Sequence, residues 1–301
     1  MNKIIIILVL LTLAACDGPL KYDIGLGDYQ GEIVVNAAVN EGEPALVRLS
    51  YSKSILDGQA YDLIDDALVF LSEENGEEQM LMSIGQGKYL GEALIKENTD
   101  YQLRVVDREG NIIRGNDTTP SKISFRSIEI TDTLYIEPAY VEQSASDIDI
   151  TTDGEDQVIS GLKIVFDDEV GILNYYELLV YQQLGDTIEF LPINSTNLSV
   201  ENTTTGSVID ASLEFYSKLL FNDRFFDGEV FTLEAEYRKV DDVAPVVVHL
   251  KSMSEFYYSY SLKREKDIIS TEGFGEPVFV PTNIENGRGL FVGYSKVEVV
   301  R

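Results

Sequence analysis

The chain has 301 residues, 23 of them basic and 52 acidic, for a net charge of −29. Such an anionic chain repels phosphate backbones, which excludes nucleic acid as an expected partner, and it equally repels anionic lipid surfaces. One cysteine excludes a disulfide framework and a thiolate zinc site, and one histidine excludes a His-rich metal centre.

The N-terminus reads first. Lys3 precedes the apolar run Ile4 to Ala15, which is short of the about 20 residues a membrane-spanning helix needs. The polar stretch CDGPLKYD follows, giving the shape of a secretory signal. Leu13-Ala14-Ala15-Cys16 resembles a bacterial lipobox, which implies cleavage before Cys16 and lipid attachment to it. The expected organisation is a signal peptide over 1–15, a tether over 16–30, a first β-sandwich over 31–120 and a second over 121–301.

From residue 31 onward, short runs rich in Val, Ile, Leu, Tyr and Phe alternate with Gly, Asn and Asp turns. GEIVVNAAV (31–39), ALVRLSYS (45–52), ALVFLSE (67–73), EEQMLMSI (77–84) and GKYLGE (87–92) read as strands, and 100–115 reads as a hairpin over DREGN. NDTTPSK (116–122) breaks the pattern. A second set of strands begins near residue 124, and the acidic segment 142–157 reads as a long exposed loop. Further strands are expected over 158–168, 174–183, 185–193, 229–240 and 244–253. In the fourth of these, Phe231, Leu233, Ala235 and Tyr237 alternate with polar residues, giving one buried and one wet face. The fold class expected is all-β: two immunoglobulin-like sandwiches, a short C-terminal helix and a closing strand.

The helix is expected over about residues 252–267. Ser252 and Glu255 have capping-box spacing. Met253, Phe256, Tyr257, Tyr260 and Arg264 fall on one face, expected to pack against the second sandwich. Lys263, Arg264 and Lys266 are placed in the last turns, where they would complement the helix dipole. Beyond it, Gly287, Gly289 and Gly293 lie close together. Their spacing is not that of a dinucleotide loop, and LFVGYSKVEVV continues as a strand where such a loop would open a helix. Asn286-Gly287 signals a turn, and Gly289 and Gly293 signal a bulge or a close backbone approach.

Several stretches resemble one family: 33–56, 96–111, 174–181, 221–233, 252–266 and 276–295. The last contains Asn283-Ile284-x-Asn286-Gly287-x-Gly289-x-Phe291-x-Gly293-Tyr294 and is the most specific. The family is the Bacteroidota outer-membrane lipoproteins grouped as domain of unknown function 4249. The resemblance implies an accessory of a TonB-dependent outer-membrane transporter, and it implies no catalytic residues.

Other chemistry finds little support in the residues. His249 sits in mid-strand beside Lys251, and no Gly-x-Ser-x-Gly elbow accompanies it, so it reads as a sheet residue. No cofactor is expected, and the one ion the residue types suit is a structural calcium. Asp147, Asp149, Asp153 and Asp156 cluster in one segment, and Asp167, Asp168 and Glu169 in another. Counted from Asp147, the EF-hand's fifth and sixth positions are Thr151 and Thr152, so that motif fails. FNDRFFDGE (221–229) is a further acidic turn, read as a β-connection.

The expected role is that of an outer-membrane lipoprotein, lipid-anchored at the cell surface, not an enzyme, and a binding partner of a TonB-dependent transporter with no ligand specified. Only Asp17 and Asp23 follow the cysteine closely, which leaves the leaflet open. The alternatives are a structural envelope lipoprotein without ligand and a carboxylate-based surface hydrolase.

Overall fold

Period-two alternation of apolar and polar side chains organises the first seven strands. A computed structural model describes residues 31–54, 60–74, 76–136, 141–143, 148–150, 156–195, 197, 218–272 and 279–301. Cys16 and the whole of 1–30 lie outside the described residues. Glu32–Ser52 and Ala60–Arg301 form one compact unit.

The first strands are β1 (Ile33–Asn40), β2 (Pro44–Tyr51), β3 (Leu68–Glu73), β4 (Gln79–Gly85), β5 (Lys88–Leu94), β6 (Thr99–Val106) and β7 (Ile112–Thr119). β2 buries Ala45, Val47 and Leu49 and turns Leu46 and Arg48 outward. These side chains join Val35, Val69, Tyr89, Leu103 and Val105 in one core. The DREGN hairpin forms as read: Asp107 Oδ1 accepts from the N–H groups of Glu109 at 2.9 Å and Asn111 at 2.8 Å. The pattern break at 116–122 begins inside a strand, because β7 stays paired to β6 as far as Thr119 opposite Thr99. Backbone pairing holds that polar end in extended form.

The second set is β8 (Ser124–Ile136), β9 (Val141–Gln143), β10 (Ile148–Ile150), β11 (Asp156–Asp167), β12 (Tyr175–Leu184), β13 (Thr187–Phe190), β14 (Ile193–Ser195), β15 (Leu219–Asn222), β16 (Val230–Arg238) and β17 (Val246–Met253). Segment 142–157, expected as a loop, carries the end of β9 and all of β10, which pair as a ribbon, and the start of β11. Strands β14-β16-β11-β8 form a four-stranded sheet. Its Leu162, Ile164, Phe166 and Leu233 share a core with Leu178, Val180, Val248 and Leu250 from β12 and β17. As expected, β16 buries Phe231, Leu233, Ala235 and Tyr237.

Helix α1 (Glu255–Glu272) follows β17. Its cap is Ser254, whose Oγ accepts the Tyr257 N–H at 3.1 Å. Ser252, selected by the capping-box spacing, is instead the buried partner of Tyr176 and Ser295 in the sheet. The buried face is therefore rotated, with Ser254, Tyr258 and Ser261 inward and Phe256, Tyr257 and Tyr260 part-buried. Tyr258 packs with Leu220 and Met253, against Tyr175, Tyr257 and Leu262. The helix runs on to Glu272, so Lys263, Arg264 and Lys266 lie mid-helix, and no basic residue occupies the last turn. No helix among the described residues is long and apolar enough to cross a membrane.

The chain ends with β18 (Ile284–Glu285) and β19 (Arg288–Val300). β19 runs parallel to β1 from Arg288 to Tyr294, then antiparallel to β17 as far as Val300. Ile284 and Phe291 thereby enter the first core, while Val297 and Val299 pack on the second. One sheet follows the path β13-β12-β17-β19-β1-β2-β5-β4-β3-β6-β7-β18, with β15 beside β12, and does not close into a barrel. The glycines explain how β19 fits. A Cβ on Gly289, whose φ is +98°, would stand 1.9 Å from the Val35 carbonyl oxygen, and one on Gly293 would stand 2.5 Å from that of Thr118.

Candidate functional site

Two features lie where loops gather. The first is an open cleft of about 980 Å³ between the β7 end, the 172–175 segment and the start of α1. Asn98, Asp100, Ser121, Leu173, Tyr175 and Phe256 contribute to its walls. This volume suits a small ligand or an inserted loop.

Asp117, part-buried, lines the cleft. Its Oδ2 accepts from Ser254 Oγ at 2.5 Å and from the Gly293 N–H at 2.8 Å. Burial pushes its carboxyl up to about 6, against the downward pull of those two donors. Asp100 accepts from Thr118 Oγ1. At the rim, Ser121 Oγ lies between Asn98 Oδ1, at 2.7 Å, and the Glu169 carboxylate.

The second feature is a pair of acidic loops at the end of the second sandwich. β11 and β16 pair with Asp167 opposite Val230, so the chain leaving β11 runs beside the chain entering β16. Asp168, Asp223 and Asp227 are thereby brought together, each offering an oxygen within 4.8 Å of the others. Asp168 and Asp223 are buried and Asp227 is exposed. Asp168 Oδ1 accepts from the Tyr176 hydroxyl at 2.5 Å, and its Oδ2 from the Gly228 N–H at 2.8 Å. Asp223 Oδ2 accepts the Asn174 N–H at 2.8 Å, and Asp227 Oδ1 the Gly171 N–H at 2.7 Å. Burial, and then the neighbouring Asp168 and Asp227 charges, push Asp223 up to about 6. Asp168 is raised by burial too, and Tyr176 is held far above its ordinary value by burial and the adjacent Asp168.

The residues singled out in the sequence separate here. Asp167 is held by Arg126, which binds it at 2.5 Å and 2.8 Å and lowers its pKa. Glu169 turns to Ser121. Asp147 and Asp153 lie outside the described residues, as do the side chains of Asp149 and Asp156. Of the Asp167-Asp168-Glu169 run only Asp168 joins the trio, and its companions come from the turn read as a β-connection. Two acidic turns flanking strands were visible in the sequence, but their adjacency is a matter of register. His249 is a cross-strand partner of Glu298. Its Nε2 lies 2.6 Å from Glu298 Oε2, and burial lowers its pKa despite that neighbour.

The closing segment, which carries the most specific pattern, is built as a clip. Asn283 Nδ2 donates to the carbonyls of Asn116 at 3.1 Å and Phe291 at 2.6 Å, while its Oδ1 accepts the Phe291 N–H at 3.0 Å. Asn286, at φ 60°, donates from Nδ2 to the Ile112 carbonyl at 3.1 Å. The model of the family described as Domain of unknown function (DUF4249) matches residues 20–299. The chain belongs to the DUF4249 family. That family is associated with Bacteroidota lipoproteins.

No curated protein sequence matches this DUF4249 member. Among solved structures, Salmonella alpha-2-macroglobulin is similar over 92% of this chain and 15% of its own, at 10% identity and a TM-score of 0.24. A two-domain fibronectin type III segment of chicken tenascin is similar over 90% of this chain and 99% of its own, at 8% identity and a TM-score of 0.22. The chain thus spans a small part of the macroglobulin's length.

Proposed function

We propose that this protein is a lipoprotein anchored through Cys16 in the outer membrane, facing the cell surface, where it serves as a non-catalytic binding partner of a TonB-dependent transporter. The observation that carries the binding reading is the open cleft, walled by loops of the first sandwich and by the 172–175 segment and α1 beside the second. Binding residues concentrate on loops that a rigid scaffold positions. Of the three carboxyls that line the cleft, Asp117 is engaged with Ser254 and Gly293 and Asp100 with Thr118, which leaves Glu255 without a second free carboxyl beside it. This favours a binding role over a carboxylate hydrolase, which needs a pair free to face substrate.

A second surface supports a protein partner. Leu46, Leu90 and Met82 are aligned across β2, β5 and β4, and they are 44%, 38% and 56% exposed. Contiguous apolar surface of this kind marks interaction sites. A lipid anchor would hold it at high effective concentration beside a membrane partner.

The test is a detergent pull-down of the C-terminally tagged, lipidated protein from its native membrane, read by mass spectrometry. A TonB-dependent transporter in near-equal amount is the expected result. A partner-free lipoprotein would count against the accessory role and favour a structural envelope function.

A further inference from the structure

Carboxylates do not gather in a protein interior without compensation. Each buried charge loses hydration, and each repels the next. Asp168, at 9% exposure, and Asp223, at 1%, meet Asp227 within 4.8 Å. The charges that act most on Asp223 are those of Asp168 and Asp227, both of its own sign. Elsewhere this protein does pair its buried acid: Glu177 has Lys251 at 2.5 Å and Lys218 at 3.7 Å.

A second observation points to a ligand. Asp223 Oδ1 is buried and has no hydrogen-bond partner, although Oδ2 of the same carboxyl accepts from Asn174. A buried acceptor left unanswered is costly, more so when charged, so such an atom calls for an explanation. When ionised, the two neighbouring carboxyls are acceptors like itself. A cation satisfies all three at once.

We propose that Asp168, Asp223 and Asp227 are ligands of a divalent cation of calcium size, which ties the 168–174 loop to the 223–228 turn. Calcium binds oxygen at about 2.3–2.6 Å, so ligands on opposite sides of the ion stand about 5 Å apart, a span that includes the 4.8 Å limit of this trio. Calcium also tolerates the irregular oxygen sets that turns provide, where magnesium demands a near-ideal octahedron at about 2.0–2.1 Å. The loops are already cross-tied for this geometry: Asp168 N–H donates to the Glu229 carbonyl at 3.1 Å, and Asp223 N–H to that of Asn174 at 3.3 Å. The 172–175 segment walls the cleft, so the cation sets the position of that wall. The site stands independently of the transporter reading, and neither outcome below bears on it.

The experiment uses the full chain in detergent, stripped with EDTA and titrated with calcium chloride at pH 7.5. Heat of binding and thermal unfolding are recorded, with magnesium chloride as the comparison. Expected are one saturable calcium site, a Tm raised by several degrees, and a weaker response to magnesium. Asp227→Asn, at an exposed position and able to keep the Gly171 hydrogen bond, should weaken calcium binding at least tenfold. Asp223→Asn should reverse sign with conditions. In EDTA it should be as stable as the parent chain or more so, because it removes a buried charge; in calcium it should be less stable. No saturable heat and no Tm shift at millimolar calcium would overturn the proposal. So would binding unchanged in Asp227→Asn, or an Asp223→Asn variant destabilised equally with and without calcium, since the carboxylates would then act as backbone ties alone.

Discussion

Ser254 Oγ donates to Asp117 Oδ2 at 2.5 Å, joining the cap of α1 to the end of β7. The same carboxyl oxygen accepts the Gly293 N–H at 2.8 Å, and Ser254 Oγ accepts the Tyr257 N–H at 3.1 Å. One part-buried carboxyl thus gathers the first sandwich, the helix start and the closing strand.

This carboxyl makes stability depend on pH in a defined direction. Burial lifts Asp117 from an ordinary 3.8 to about 6 in the folded chain. Between those values the folded state holds a proton that the unfolded state has released, so stability falls as pH rises through the window and stays lower above it. At about 1.4 kcal/mol per pH unit, this group contributes on the order of 3 kcal/mol. Asp117→Asn should therefore be more stable than the parent chain at pH 7.5 and lose that advantage near pH 4. Chemical denaturation at the two pH values checks it; a difference between the two chains that does not change with pH would refute the assignment.

Gly289→Ala is expected to be severely destabilising. The position has φ +98°, and the new methyl group would stand 1.9 Å from the Val35 carbonyl oxygen. Left-handed backbone costs a non-glycine residue about 1–2 kcal/mol, and forced overpacking adds about 1–3. Parting β19 from β1 should expose the first core at Phe291, read as a lowered Tm and increased hydrogen exchange at Val34 to Ala38. Unchanged protection there would show that the parallel pairing tolerates a side chain.

Glu177 lies on β12 directly across from Lys251 on β17, their side chains 2.5 Å apart, and is only 3% exposed. Removing one partner of a buried pair leaves the other uncompensated and costs about 3–5 kcal/mol. Glu177→Ala should fall in that range. The double change Glu177→Leu with Lys251→Leu should cost much less than the two single changes together, as a double-mutant cycle would measure. Additive single effects would mean that the ion pair carries no coupling energy.

Sequence and structure agree best where the signal is local. The alternation in 229–240 placed Phe231, Leu233, Ala235 and Tyr237 inward, and DREGN announced the turn that Asp107 closes. The helix was legible, but its cap was not. Ser252 and Ser254 both precede an aromatic run, and only the length of β17 decides that the strand takes the first and the helix starts on the second. The acidic residues were equally visible and equally undivided. Asp167 and Asp168 are neighbours in sequence, yet one faces Arg126 in solvent and the other faces Asp223 in the interior, because successive residues leaving a strand point to opposite sides.

By itself, then, the sequence determined a mostly β chain with a lipobox-like stretch at Leu13 to Cys16, no intrachain disulfide and strands of known face, since composition, alternation and turn chemistry act over a few residues. The tertiary structure alone decided that β19 lies parallel to β1, about 250 positions away, that Asn283 clips it to β7, and that Asp168 meets Asp223 and Asp227. Each of these brings together groups with no local reason to meet. The entropy of closing such long loops grows only slowly with their length, so burial of Phe291 and of the facing cores can offset it; Gly289 and Gly293 signal a close approach, but the neighbouring sequence does not name the strand that makes it.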